Sequence, residues 1–226
     1  MEAIVLAGGL GTRLKSVVSD VPKPMALVAQ KPFLSYLLEY LNSYGVSRVV
    51  LAVGYKWEVI EAYFGQDFKG MELLYSVEQE PLGTGGAVKK ALEMISGEEV
   101  LMLNGDTYFK VDLKRLQIRP NSKITLSLKE MQDFNRYGSV EFNETGRLTS
   151  FQEKCYKEQG YINGGVYLLR RDIFCDYHLS KNFSFEKFLE NNFKNLGIST
   201  ERSNAYFIDI GIPEDYRRAQ CELKSL

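Results

Sequence analysis

The strongest constraint on this chain is a five-residue apolar run, Ala3-Ile4-Val5-Leu6-Ala7, which breaks into Gly8-Gly9-Leu10-Gly11-Thr12-Arg13-Leu14 and is followed by Pro22-Lys23-Pro24. A short apolar run ended by glycines predicts a buried strand that feeds a tight loop. Gly8, Gly9 and Gly11 free the backbone from Cβ constraints, so consecutive N–H groups can turn toward one anion. A glycine cluster alone is also the mark of an ordinary turn. Arg13 and Lys23 add the positive charge that moves the reading toward phosphate. Two common phosphate motifs do not fit. A P-loop ends in Gly-Lys-Ser/Thr, whereas Gly11 is followed by Thr12-Arg13, and a dinucleotide fingerprint needs a glycine where Leu14 stands.

Downstream, Phe33, Leu34, Leu37, Leu38 and Leu41 recur at helical spacing, and Arg48 to Val53 reads as a buried strand. Trp57, Ile60, Tyr63 and Phe64 form a second helical stripe ending at Gly65, and Glu72 to Val77 supplies another strand. This alternation predicts an α/β fold, Rossmann-like and three-layered, with a mixed and mainly parallel sheet covered on both faces. From Lys123 the pattern changes to alternation, with Ile124, Leu126 and Leu128 on one face and Thr125, Ser127 and Lys129 on the other, which predicts antiparallel strands. Asn143-Glu144-Thr145-Gly146 reads as a hairpin turn, and Ser184 as the cap of a helix carrying Phe185, Phe188 and Leu189. A chain of 226 residues forms one such domain, residues 1–110 mainly toward a nucleotide and 111–226 mainly toward a second substrate.

Several positions carry candidate chemistry. Glu80-Pro81-Leu82-Gly83-Thr84-Gly85-Gly86-Ala87 is a second glycine-rich helix entrance, where a flat base could lie against bare backbone. Asp106 follows the strand Glu99 to Leu103, and a hard carboxylate at that end suits Mg²⁺. Asp209 ends another strand, before Gly211-Ile212-Pro213. Glu153-Lys154 and Asn163 offer a carboxylate, a cation and an amide that suit a phosphorylated sugar. The single histidine, His178, lies in a polar stretch, so histidine-based acid–base or zinc chemistry is excluded as the working mechanism. Lys plus Arg number 28 against 29 Asp plus Glu, which offers no general attraction to nucleic acid. Three cysteines without metal-ligand spacing and an opening without a charged leader or membrane span imply a cytoplasmic protein.

The glycine loop ending in Gly-Thr-Arg-Leu, the Pro-Lys-Pro, the Asp106 strand end, Glu-Lys with Asn-Gly-Gly-Val-Tyr, and Asp209-x-Gly-x-Pro-Glu-Asp-Tyr together resemble the sugar-phosphate nucleotidyltransferases. The resemblance runs from Ala3 to Tyr216. It implies that Leu6, Ala7, Gly8, Gly9, Gly11 and Thr12 wrap a nucleoside triphosphate, that Arg13 steadies the departing pyrophosphate, and that Lys23 sits among the phosphates. Glu80, Gly83 and Thr84 would contact base and ribose; Tyr137, Gly138, Glu153, Lys154 and Asn163 would form the sugar-phosphate site; Asp106 and Asp209 would hold Mg²⁺. Arg13, Lys23 and Asp106 are then the catalytic residues. Cys155 stands where a proline often follows Glu-Lys in the family. The implied reaction joins a sugar 1-phosphate to a nucleoside triphosphate with release of pyrophosphate, with neither nucleic acid nor membrane as partner and with a homo-oligomer left open. Within the family, Glu80 to Ala87 is most similar to guanylyltransferases of D-glycero-α-D-manno-heptose 1-phosphate, which implies GTP. Mannose 1-phosphate guanylyltransferases, short uridylyltransferases and a non-catalytic nucleotide-sugar sensor stay open at this point.

Overall fold

The computed structural model describes residues 1–9, 14, 21–152 and 154–225. Gly11, Thr12, Arg13 and Glu153 therefore lie outside the described residues. In chain order, the first half contains β1 (Glu2–Leu6), β2 (Leu27–Val28), β3 (Lys31–Pro32), α1 (Phe33–Ser43), β4 (Arg48–Val53), α2 (Trp57–Phe64), β5 (Asp67–Phe68), β6 (Met71–Val77), α3 (Gly83–Leu92), β7 (Glu99–Asn104) and β8 (Thr107–Phe109). The second contains β9 (Ile124–Phe134), β10 (Ser139–Phe142), β11 (Leu148–Gln152), β12 (Lys157–Arg170), α4 (Phe185–Leu196), β13 (Ser199–Ser203), β14 (Phe207–Asp209) and α5 (Pro213–Glu222).

The parallel strands lie in the spatial order β6-β4-β1-β7. The chain winds outward from β1 through α1 and α2, then crosses back through α3 to place β7 on the other side of β1. The strand order thus reverses between β1 and β7, the point where open α/β sheets leave a crevice at their carboxyl ends. Each sheet face has its own core. Ala3, Val5, Val49 and Leu51 pack with α1, α2 and α5, while Ile4, Val50, Ala52 and Met102 pack with α3 and α4. Three layers result, as the alternation of elements predicts.

Beyond β7 the sheet continues antiparallel through β12, β10 and β11, with β9 beside β12. The Asn143–Gly146 turn joins β10 to β11, with Gly146 at φ 71° donating its N–H to the Asn143 carbonyl over 2.8 Å. The alternating stretch from Ile124 differs from expectation in one respect. β9 pairs antiparallel with β12 but parallel with β13, and Thr125 and Ser127 are as buried as their apolar neighbours. The polar face is covered, and Thr125 finds its partner in the Gln117 carbonyl at 2.7 Å. Ser184 caps α4 as expected, its Oγ accepting the Lys187 N–H. α5 opens with Pro213, Glu214 and Asp215, a residue order suited to the positive end of a helix dipole. His178 and all three cysteines are exposed, the cysteines as free thiols. Among the described residues no helix is long and apolar enough to cross a membrane.

β1 and β7 meet most closely at Gly105, whose N–H bonds the Leu6 carbonyl at 2.9 Å. A Cβ at Gly105 would fall on that same carbonyl and on the backbone of Ala7. Because the obstruction is main chain, Gly105→Ala should destabilise the protein by about 1–3 kcal/mol, the usual penalty of overpacking. A urea-unfolding midpoint equal to that of the unmodified chain would contradict this.

Candidate active site

The site grows out of the β1–β7 crevice. After β1 the chain is held by the Ala7 N–H, which reaches past the strand to the Ala52 carbonyl at 2.7 Å, and Gly8 and Gly9 then open into a cleft of about 710 Å³. Lys23 enters from a single 3-10 turn, Lys23–Met25, which follows Pro22 and buries Pro24 and Met25. Its Nζ lies 2.5 Å from Asp106 Oδ2. The Lys23 side chain is 14% exposed and that of Asp106 38%, so the carboxylate opens to the cleft and the cation stands behind it. Thr107 Oγ1 donates to the other Asp106 oxygen at 3.2 Å.

Asp209 reaches the same place by a separate device. β14 pairs with β8 so that Asp209 lies opposite Thr107, and the Ile210 N–H bonds the Asp106 carbonyl at 2.9 Å. Asp209 Oδ1 accepts the Gly211 N–H at 2.6 Å, and Oδ2 accepts the Tyr137 hydroxyl at 3.3 Å. Burial raises the Asp209 pKa above the ordinary carboxylate value, and the Asp106 charge raises it further; Lys23 and the two donors act in the opposite sense. Tyr137 is itself pushed up to about 12, chiefly by burial, so its hydroxyl remains a donor at neutral pH. Two hard carboxylates held against their mutual repulsion suit a divalent cation. Among the described residues no third histidine, cysteine or acidic side chain joins such a cluster. One or two carboxylates with substrate phosphates completing the shell is the pattern typical of Mg²⁺, so the residues present fit that ion.

Leu6, Ala7, Gly8, Gly9, Lys23, Glu80, Gly83, Thr84 and Asp106 all line the one cleft. The second glycine segment is built differently from the expectation. Residues 181–186 lie along it: the Phe183 N–H bonds the Leu82 carbonyl at 3.0 Å and the Gly85 N–H bonds the Phe183 carbonyl at 2.9 Å. A Cβ at Gly85 would strike the Phe183 ring, and one at Gly86 the Lys181 carbonyl. These two glycines therefore admit a neighbouring chain segment rather than a base. Glu80, at an exposed rim of the cleft, has its carboxylate ion-paired with Lys181. Thr84 Oγ1 donates to Glu186 Oε2 at 2.7 Å and accepts the Phe185 N–H at 2.8 Å.

On the other substrate's side, Tyr137 is brought to Asp209, as above. The Asn163 amide serves its own strand, donating to the Tyr167 hydroxyl at 2.7 Å and accepting the Gly165 N–H at 3.1 Å. Gly138 lies where a Cβ would meet the Gln152 carbonyl. Lys154 is exposed just beyond β11, and neither it nor Asn163 lines the cleft. The cleft residues that were not anticipated include Tyr55, Glu78 and Glu186. Glu78 directly follows β6, so the strand-end logic that picks out Asp106 applies equally to it. Its Oε2 accepts the Leu82 N–H at 3.0 Å, and its Oε1 would lie 2.5 Å from a Cβ on Gly8. Nothing in the sequence around Glu186 marks it, since its place depends on the 181–186 segment crossing a hundred residues of chain.

An open α/β sheet with a glycine loop, a half-buried lysine and two opposed carboxylates at its switch point defines a phosphate-handling transferase centred on a nucleotide-sized cleft. Residues 2–225 match the Nucleotidyl transferase family, and the chain belongs to it. It is 53% identical over 216 residues, 96% of this chain and 97% of the relative, to the D-glycero-alpha-D-manno-heptose 1-phosphate guanylyltransferase of Campylobacter jejuni. It is 52% identical over 228 residues, 99% of each chain, to the protein of the same name from Aneurinibacillus thermoaerophilus. Among solved structures, HddC from Yersinia pseudotuberculosis complexed with GMP-PN superposes with a TM-score of 0.84 at 39% identity, covering 98% of this chain and 99% of that one.

The raised Asp209 pKa gives a pH prediction. An acid whose folded pKa exceeds its unfolded one favours the fold fully below the unfolded pKa, about 3.9, and loses that contribution as pH rises through the folded value. Asp209→Asn should therefore melt above the unmodified protein at pH 7 in EDTA, and the two melting curves should converge as pH falls toward 4. An Asn variant that is less stable at pH 7 would show that Asp209 is not strained by burial and Asp106.

Proposed function

We propose that the chain transfers GMP from GTP to D-glycero-α-D-manno-heptose 1-phosphate, giving GDP-heptose and pyrophosphate. The observation that carries this reading is the Lys23–Asp106–Asp209 cluster at the switch point of a chain more than half identical, end to end, to two relatives named for that activity. The nucleotide's phosphates would lie along Gly8, Gly9 and Lys23, with Arg13 beside the departing pyrophosphate. A sugar phosphate monoester has its second pKa near ~6, so its oxygen is ionised at neutral pH and needs no general base. That oxygen bonds the α-phosphorus of GTP while the bond from the α-phosphorus to the bridging oxygen breaks, and pyrophosphate leaves with that electron pair. The chain's task is to align two anions and to neutralise charge on the α-phosphate. Asp106 and Asp209 would hold Mg²⁺, which when bound supplies Lewis-acid charge at the phosphates. Lys23, kept behind Asp106, holds that carboxylate in position and brings a second positive charge. Tyr137, Gly138, Lys154 and Asn163, together with the Glu153 of the sequence motif, would bind the sugar phosphate.

For base selection the geometry favours Glu78 over Glu80. Glu80 is committed to Lys181 at the rim, whereas Glu78 lines the cleft between the phosphate loop and the start of α3. A carboxylate can accept from both guanine N1–H and the exocyclic amine, and uracil offers only one donor. An unpaired acceptor costs roughly 1–3 kcal/mol, about ten- to a hundredfold in discrimination. In a panel of GTP, UTP, CTP and ATP against heptose and mannose 1-phosphates, GTP with the heptose substrate should turn over fastest. Glu78→Gln should erode the GTP preference about tenfold while Glu80→Gln leaves it within twofold. Equal use of UTP by the unmodified enzyme would defeat the guanylyltransferase reading, and a Glu80→Gln variant that alone lost GTP preference would return the base contact to Glu80.

A second split follows from the same assignments. Lys154→Ala should raise the KM for sugar phosphate about tenfold with little change in kcat, because its partner would be a phosphate bound alike in ground and transition states. A fall in kcat with KM unchanged would place Lys154 in the chemical step instead.

A further inference from the structure

Arg136 lies outside every motif considered so far, yet it connects a buried carboxylate to the heart of the site. Its Nη2 lies 2.6 Å from Asp215 Oδ2 and 2.8 Å from the Tyr137 hydroxyl oxygen. Asp215, in the first turn of α5, has a side chain only 11% exposed and takes Arg218 on its other oxygen at 3.0 Å. The guanidinium is thus anchored from behind and lies over the Tyr137 ring, 5.3 Å from its centroid. A second contact fixes the same ring, since Phe207 packs edge-on against it at 6.2 Å and begins the strand that ends in Asp209.

The chemistry of this arrangement sets a direction. A guanidinium has donors and no acceptor, so the Tyr137 oxygen must accept from Arg136. The hydroxyl proton is then left to point elsewhere, and the acceptor within reach is Asp209 Oδ2 at 3.3 Å. We infer that Arg136 is a positioning residue for the divalent-ion site: through Tyr137 it fixes the orientation of the Asp209 carboxylate, without touching substrate or ion. The inference rests on the proposed reading of Asp209 as a metal ligand. Outer partners of metal-ligating carboxylates typically contribute 10–100-fold to ion affinity, which sets the scale expected here.

Positioning and simple electrostatics predict opposite signs. Arg136 is a cation near a cation site, so if only its charge mattered, its removal would tighten ion binding. If it positions Asp209, its removal weakens binding. The test is a Mn²⁺ titration of the intact protein followed by the electron paramagnetic resonance signal of the free ion, with Arg136→Gln, Tyr137→Phe, the double variant and Asp209→Asn. Arg136→Gln and Tyr137→Phe should each weaken Mn²⁺ affinity about tenfold or more. The double variant should be no weaker than the worse single one, because both act through one hydroxyl. Unchanged or tighter binding in Arg136→Gln overturns the inference, as do fully additive losses, which would mean that Arg136 merely braces α5 through Asp215. If Arg136→Gln does not fold, Tyr137→Phe decides alone, and unchanged affinity there overturns the inference. Mn²⁺ binding that survives Asp209→Asn instead removes the metal-ligand reading itself, a result distinct from failure of the relay.

Discussion

The structure depends on keeping two carboxylates, Asp106 and Asp209, at one crevice. Like charges in a partly desolvated site repel strongly, and the raised Asp209 pKa records that repulsion together with burial. Among the described residues it is opposed by Lys23 and by fixed donors. Lys23 serves Asp106, while the Gly211 N–H and the Tyr137 hydroxyl serve Asp209. The small β8–β14 ladder makes sense on this view. It sets Asp209 beside Asp106 through backbone hydrogen bonds of its own, independently of the large sheet that positions Asp106.

A second consequence of bringing these groups together is that residues from distant parts of the chain must share one frame. β12 hydrogen-bonds along β7, so a single sheet runs from the glycine loop to the Tyr137 side. On the opposite wall, residues 181–186 clasp the start of α3 through the Leu82, Gly85 and Thr84 contacts and add Glu186 to the cleft. α5 closes the arrangement at the back. Its Tyr216 hydroxyl and Gln220 amide both donate to the Leu27 carbonyl, and Gln220 also accepts the Ala29 N–H. The hairpin so held, β2–β3, follows directly on the Lys23 turn. One helix thereby touches both the arm that carries Lys23 and, through Asp215, the arm that carries Tyr137.

How legible this was in sequence depended on the range of the interaction concerned. Periodicity within ten or so residues located α1, β4, α2, β6 and the Asn143–Gly146 hairpin, because each is decided by its own side chains and turn residues. The Ser184 cap and Pro213 start were equally local. Position at a strand end found Asp106 and, with the family resemblance, Asp209. What local pattern could not supply was a partner. Gly85 and Gly86 looked like a base platform because the segment that needs their missing Cβ atoms is a hundred residues away. Glu80 and Glu78 are two residues apart, and the ion pair that distinguishes the first is made with Lys181, a hundred residues away. Thr125 and Ser127 read as an outer face because alternation within a strand does not show what lies over it; in the fold both are buried, and Thr125 donates to the Gln117 carbonyl.

The distribution of charge along the cleft closes the argument. Glu80 and Glu186 lie where α3 begins, Glu78 reaches from there to Gly8, and Lys23 stands with Asp106 at the switch point. A nucleoside triphosphate is polarised the same way, with hydrogen-bond donors on its base and all its negative charge on its tail. On the proposed function such a ligand would have one favourable direction in this cleft, its base donors toward the acidic residues near α3 and its phosphates toward Lys23 and the ion that Asp106 and Asp209 would hold. That direction would decide which phosphorus lies nearest Asp106 and Asp209. The acidic residues near α3 would then contribute to chemistry they never touch, because binding in a single orientation would place the reacting phosphate at the switch point before any step begins.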